Sequence, residues 1–305
     1  MNLIFKLFDI TENVKNKHIS RFLSLIVRSI ANICLPLYFK IVKGSGKKHN
    51  LDKELIVSFT SFPKRINKVW IVIESILHNT ILPDKILLYL SKEQFSELKV
   101  LPNRLLSLQS KGLVIKLVEG DIRSYKKFYY AFIDYPKSYV ITIDDDIIYP
   151  ENTIESLLKS FNNHKDCVIA RYGSNAFPSG KEIAPQKEWS KNICNSFNPS
   201  KCNFFGSGGG TLFDVEKINK GVLDCKSFIS ICKLADDVWL NAFVRISGLN
   251  IYFCNDKSAE ILNIQIRNDS RLFTVNTEQN YNEVQIQSVR TYCKKKYNID
   301  PFILN

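Results

Sequence analysis

At 305 residues, with 45% hydrophobic and 12% aromatic side chains, the chain has the material for a sizeable core, and its composition excludes a disordered polypeptide. The formal charge of +12 is unevenly placed: residues 1–50 carry nine Lys or Arg against Asp9 and Glu12, a net of +7, which leaves +5 for the other 255. That concentration argues against a nucleic-acid-binding body and suits an arm approaching an anionic membrane surface. The eight cysteines include no CxxC pair, which weakens a zinc reading and leaves reduced thiols as the expectation. Histidines end at His164, so a hydrolase that places its catalytic histidine late in the chain is excluded.

Taken in chain order, residues 1–48 form a basic helical arm. Lys17, Arg21, Ser24, Arg28 and Asn32 recur at helical spacing as a polar stripe, with Phe22, Leu25, Ile26, Ile30 and Ile33 on the other side. Pro36 is expected to break this helix. Phe22–Val42 is long enough to span a bilayer but contains Arg28 and Pro36, so the preferred reading is an interfacial helix, basic side toward headgroups and apolar side toward acyl chains. The competing reading is a helix packed on the protein's own core. No signal peptide is expected, because a charged stretch separates Met1 from the apolar segment and no small-residue cleavage site follows it.

The GSGKKHN stretch, 44–50, reads as a linker into a body at 49–305, divided into a nucleotide-binding half, 49–171, and an acceptor-binding half, 172–305. Strands are expected at 55–59, 85–90, 113–118, 139–143 and 167–171, with helices at 68–78, around 93–110 and at 152–163; the early strand–helix–strand order implies parallel pairing. Beyond Arg171 the periodicity fades into Asn-, Ser- and Pro-rich loops. It returns in a short strand, TLF, a helix at 235–247, a strand at 249–254 and a last helix near 284–296.

Five stretches carry candidate chemistry. SYVITIDDDIIYP runs a β-branched strand into Asp144, Asp145 and Asp146. Three adjacent carboxylates at a strand's C-terminal end call for a cation, and hard oxygens suit Mg2+ or Mn2+ bridging to substrate phosphates; the competing reading is a solvated acidic turn capping the next helix. VSFTSFPKRI offers Thr60, Ser61, Pro63 and Arg65 in a loop able to hold a base and phosphates, unless it is an ordinary exposed loop. In RSYKKF, Lys126 and Lys127 could pair with a diphosphate, balance the acidic cluster or simply form a solvated face. In FFGSGGGTLF, Gly208, Gly209 and Gly210 let backbone approach a ligand or make a plain tight turn, and in LADDVWLNAF, Asp236 and Asp237 open a helix as caps or as a general base.

In this order the stretches resemble bacterial polysaccharide-assembly glycosyltransferases of the GT-A fold, over residues 55 to about 255. The resemblance implies a Rossmann-like α/β fold with a mixed, mostly parallel sheet flanked by helices. It also implies a nucleotide held by the first strand's loop, a divalent metal (Mn2+ or Mg2+) on the sugar diphosphate and an acid that deprotonates the acceptor. Carried over by position, Asp146 is the foremost metal ligand, Asp144 a ribose or metal contact, and Asp237 or Asp236 the base. Many inverting members carry Glu-Asp where this chain has Asp236-Asp237, and some members use a late histidine ligand that this chain lacks, so the base and the stereochemistry stay open.

The composite expectation is a cytosolic enzyme, peripheral on the inner face of the membrane. It would move a sugar from a nucleotide diphosphate, a UDP-sugar foremost, to a hydroxyl of a glycan or lipid-linked glycan in cell-surface polysaccharide synthesis. Phe177, Trp189 and Phe197 are expected at the acceptor surface. The alternatives are a Mg-dependent phosphotransferase or phosphatase, which the late position of the aspartate motif disfavours, and a non-catalytic membrane-surface nucleotide-binding protein.

Overall fold

The computed structural model describes residues 1–177, 180–189, 199–254, 261–265 and 281–304. Its centre is a seven-stranded sheet made of β1 (Leu55–Thr60), β2 (Lys85–Ser91), β3 (Leu113–Val118), β4 (Tyr139–Ile143), β6 (Cys167–Ala170), β7 (Gly209–Asp214) and β8 (Asn250–Phe253). The spatial order is β8-β6-β7-β4-β1-β2-β3. All neighbours pair in parallel except β7, which runs antiparallel to both β4 and β6. This is the expected α/β architecture with a mostly parallel sheet.

Alternation along the strands feeds two cores. Leu55, Val57 and Phe59 of β1 face one hydrophobic cluster and Ile56 the other, as a sheet covered on both faces requires. The first cluster takes in α3 (Val69–Leu77) and α5 (Thr153–Asn163); the second takes in α4 (Lys126–Asp134), α6 (Asp236–Ile246) and α7 (Tyr281–Tyr297). The chain passes from β1 through α3 to β2 on one side, then returns from β3 to place β4 on the other side of β1. The sheet's topological switch point therefore lies between β1 and β4, where an open α/β sheet presents a crevice to ligands.

Two helical expectations change. Residues 93–110 form only short pieces, Leu98–Val100, Asn103–Ser107 and Leu108–Lys111, around Pro102, whose fixed φ admits a helix start but not a helix interior. In the arm, a first helix, α1 (Asn2–Glu12), precedes α2 (Lys17–Ile41), and α2 runs through Pro36 instead of breaking there. Leu35 and Phe39, one on each side of the proline, are buried in the first core and hold the helix together across the lost hydrogen bond.

The orientation of α2 is also corrected. Part of its polar stripe faces the protein. Ser24 Oγ lies 3.0 Å from Thr11 Oγ1, Arg28 donates to Asn263 Oδ1 at 3.3 Å and stacks over Phe8, and Asn32 donates to the Asn263 carbonyl at 3.1 Å. Gln265 N in turn donates to Asn32 Oδ1 at 2.7 Å. Lys17 and Arg21 stay exposed, as do the apolar residues of the opposite side.

Candidate active site

Three segments meet at the switch point, and two more join them. The loop after β1 brings Ser61 and Arg65, the end of β4 brings Asp144 to Asp146, and α4 contributes Lys127 from beneath. The turn before β7 and the start of α6 add Ser207, Gly208, Asp236 and Asp237.

Each aspartate has a different environment. Asp145 is buried; its carboxylate accepts from Ser61 Oγ at 2.5 Å and from Arg65 Nη1 at 2.7 Å. Burial pushes its pKa up and Asp144 adds to the rise, against the opposing pull of Arg65 and Ser61. Asp145, expected with its two neighbours at the substrate phosphates, is thus an internal anchor for the loop after β1. Asp146 makes a second ion pair with Arg65 Nη1 at 3.1 Å, with its side chain 13% exposed. Asp144 is the open member: its side chain is 42% exposed, and Lys127 Nζ pairs with Oδ1 at 2.9 Å.

Lys127 is buried between Asp144 and Asp236, 3.1 Å from the latter, and its pKa is raised well above the usual lysine value. Burial alone would lower it, but the carboxylates of Asp144, Asp236 and Asp237 outweigh that effect. The ammonium is therefore fixed in its charged form.

Asp236 is buried and satisfied, accepting from Ser124 Oγ at 2.8 Å and from Ser207 Oγ at 3.2 Å in addition to its ion pair. Asp237 is half-buried, and Ser207 N and Oγ both donate to its Oδ1, at 2.8 and 2.5 Å. Its Oδ2 accepts no hydrogen bond among the described residues. Burial, followed by the repulsion of Asp236, pushes the Asp237 carboxyl up to about 6, with Lys127 and Ser207 pulling the other way. A carboxylate of that basicity with one uncommitted oxygen has the properties of a general base.

Hydrogen bonds between distant segments hold this arrangement. The Asp144 amide donates to Tyr149 Oη at 2.9 Å, while Tyr149 Oη donates to the Gly208 carbonyl. Thr142 Oγ1 donates to the Ser207 carbonyl at 2.7 Å, and Ser58 Oγ to the Lys127 carbonyl at 2.5 Å. Gly208 has a steric role, since a Cβ there would stand 1.8 Å from Asp144 Oδ2.

Several nominated residues lie elsewhere or act differently. Lys126 is buried and its ammonium pairs with Asp121, not with the aspartate cluster, so it is not a neighbour of the candidate diphosphate site. The adjacent positions Lys126 and Lys127 point in directions about 100° apart on a helix. Thr60 Oγ1 donates to the Tyr89 carbonyl at 2.7 Å, which ties β1 to β2, and Pro63 is exposed on the loop. Gly209 and Gly210 are buried within β7; a Cβ would meet Tyr172 at the former and Arg171 at the latter, where φ is +98°. Only Gly208 of the three borders the acidic cluster. Phe177 is buried over Arg245 and Trp189 packs on Phe204, so neither is an open sugar platform; Phe197 lies outside the described residues.

Tyr149, Ser207 and Ser124 were missed. All three sit inside the quoted motifs, but the Gly208 carbonyl that Tyr149 bonds and the carboxylates that Ser207 and Ser124 bond lie 59, 30 and 112 residues away, which leaves no local pattern.

The metal expectation meets a mixed donor set. Among the described residues no group of three or more His, Cys, Asp or Glu side chains converges so as to hold a metal ion by itself. Yet Arg65 and Lys127 supply two positive charges against the five carboxylates of Asp144, Asp145, Asp146, Asp236 and Asp237. That excess of hard oxygen donors, with Asp144 open, fits Mg2+ or Mn2+ completed by ligand phosphates and water.

No protein-family model matches the chain, and no match was found among curated proteins. Among solved structures, a mannosyltransferase from Pyrobaculum calidifontis in complex with GDP-Man and Mn2+ is 11% identical, with 90% of this chain and 75% of that one aligned and a TM-score of 0.45. Residues 1–349 of S. aureus TarS align at 12% identity over 66% of this chain and 57% of that one, TM-score 0.40. A CMP:2-keto-3-deoxy-manno-octonic acid synthetase complexed with CTP aligns at 10% identity over 66% and 88%, TM-score 0.37. Likenesses of this size assign neither a substrate nor a residue role to this chain.

Proposed function

We propose that this chain is a glycosyltransferase that moves a sugar from a nucleoside diphosphate, a UDP-sugar foremost, to a hydroxyl of a glycan in cell-surface polysaccharide synthesis. The observation that carries this reading is the facing of two unlike acidic groups across Lys127: an open Asp144 beside Asp146 at the switch point, and an Asp237 carboxyl raised to about 6. The first suits a diphosphate with its counter-cation; the second suits removal of a proton from an acceptor.

Asp144 and Asp146 would hold the divalent metal, which when bound supplies charge neutralisation at the departing diphosphate. Arg65 and Lys127 stiffen these aspartates by ion pairs and leave Asp144 partly open toward solvent. Asp237 Oδ2 takes the acceptor hydroxyl's proton as the acceptor oxygen bonds to the anomeric carbon; the bond from that carbon to the diphosphate oxygen breaks, its electron pair leaving with the nucleotide. Direct displacement of this kind inverts the anomeric centre. Asp237 is favoured over Asp236 because Asp236 is committed to Lys127, Ser124 and Ser207.

The test is a panel of nucleotide sugars scored for hydrolysis with Mn2+ or Mg2+ present. Turnover of one donor that is lost in Asp237→Asn supports the reading. A panel without turnover and without thermal stabilisation by any donor rejects it.

A further inference from the structure

α1 and α2 reverse the usual arrangement of a surface helix. Twelve of the eighteen large hydrophobic side chains that stand exposed among the described residues lie within residues 1–42, including Phe22 at 63%, Ile33 at 66% and Ile41 at 83%. Meanwhile Ser24, Arg28 and Asn32 are turned inward onto Thr11, Asn263 and Gln265. A helix that gives its polar groups to its own protein and its apolar side to the outside is shaped for an apolar partner.

We infer that this partner is an anionic lipid bilayer, on which the α1–α2 pair lies flat in one leaflet. Charge decides between a bilayer and a second copy. Lys15, Lys17 and Arg21 stand exposed at the start of α2, and Lys40, Lys43, Lys47 and Lys48 at and beyond its end, so the apolar strip has a basic rim at both ends. A second copy would set those rims against one another, whereas anionic headgroups complement them. Attachment decides between lying and spanning. The length and composition of α2 would suffice to cross a bilayer, but Arg28, Ala31, Asn32, Leu35 and Phe39 fasten about three turns of it sideways onto the body.

The attachment also reaches the candidate site. Asn32 brackets Asn263 and Gln265, the intervening Ile264 N donates to the Asp146 carbonyl at 2.7 Å, and β9 (Leu262–Asn263) pairs with β5 (Ile147–Ile148) directly after the aspartates. The docked face is thus held one short strand away from Asp146. That proximity suits an acceptor hydroxyl carried on a lipid, and this consequence alone rests on the transferase reading.

Vesicle binding needs no turnover, so failure of docking and failure of the transferase reading are separate outcomes. The full chain is sedimented with vesicles of phosphatidylcholine alone and of an equal mixture with phosphatidylglycerol. About tenfold more protein is expected on the anionic vesicles, falling with salt as a polybasic rim requires. Phe22→Glu with Ile33→Glu should abolish binding at an unchanged unfolding temperature, because both side chains are exposed. No binding of the unaltered chain to anionic vesicles, undiminished binding of the double variant, or a stable dimer by light scattering without lipid would each overturn the inference. Fluorophores on cysteines introduced one at a time at Phe22, Ile33 and Leu37, in a chain with Cys34→Ser, Cys194→Ser, Cys202→Ser and Cys225→Ser whose other four cysteines are buried, should report equal depths to brominated lipids. A depth change of about 22 Å from 22 to 37 would mean a spanning helix and contradict the flat placement.

Discussion

α2 and α6 are both amphipathic helices that turn polar side chains toward the protein interior, and they do so to opposite ends. On α2, Ser24, Arg28 and Asn32 find neutral hydrogen-bond partners, so the inward stripe is satisfied and structural. On α6, Asp236 and Asp237 are placed side by side at the N-terminus with one lysine near both, and Asp237 is left with a raised pKa and an oxygen that accepts no hydrogen bond among the described residues. Satisfied polar groups fix geometry, while groups held against their electrostatic preference are available for chemistry. Changes on the two helices should therefore have opposite signatures.

The largest expected effect is at Asp237. Asp237→Asn keeps an oxygen to accept from Ser207 but cannot take a proton, so kcat should fall by about 10^2 to 10^4 in a donor-matched transfer assay. The same change should stabilise the fold at neutral pH by on the order of 1 kcal/mol in urea denaturation, since it removes a half-buried charge that Asp236 repels. A loss of stability equal to that of an α2 variant would erase the contrast.

Lys127→Met comes next, since it strands Asp144 and Asp236 without their shared cation. Removal of one partner from a buried pair costs about 3–5 kcal/mol, readable as a lowered urea midpoint. Lys126→Met, by contrast, should leave metal and nucleotide binding unchanged, because Lys126 pairs with Asp121 away from the cluster.

The pH dependence sharpens the Asp237 assignment. Only the ionised carboxylate accepts a proton, so kcat/KM should rise with pH through about 6. Stability should move the other way: the folded state holds the Asp237 proton to higher pH than the unfolded chain does. This group's contribution is therefore greatest below the ordinary carboxylate range and is lost as pH rises toward about 6. A pH-rate profile flat from pH 5 to 8 would remove Asp237 as the base.

The smallest expected effect is on α2. Asn32→Ala should lower stability by about 1 kcal/mol through loss of its bonds to Asn263 and Gln265, with no gain at any pH.

The run of β-branched residues before Asp144, the early strand–helix–strand order and the acidic pair on α6 were legible in the sequence, because local periodicity and composition carry them. Which face of α2 points inward was not, since periodicity separates two faces without saying which one the body receives. The same limit applies to Lys126 and Lys127, which differ only in direction. The glycine run was read as one device, whereas Gly208 makes room for Asp144 and Gly209 and Gly210 belong to β7. Tyr149 and Ser207 earn their positions through contacts across 59 and 30 residues, and no local window contains both partners.

In the proposed transferase, Asp144 and Asp146 form the metal-diphosphate half of the site. Titration calorimetry of UDP into the full chain, with and without Mn2+, tests it most directly. Binding should require Mn2+ and disappear when Asp144→Ala and Asp146→Ala are combined in a chain that still unfolds cooperatively. UDP binding that is indifferent to Mn2+ and to both substitutions, or no binding at all, would contradict it.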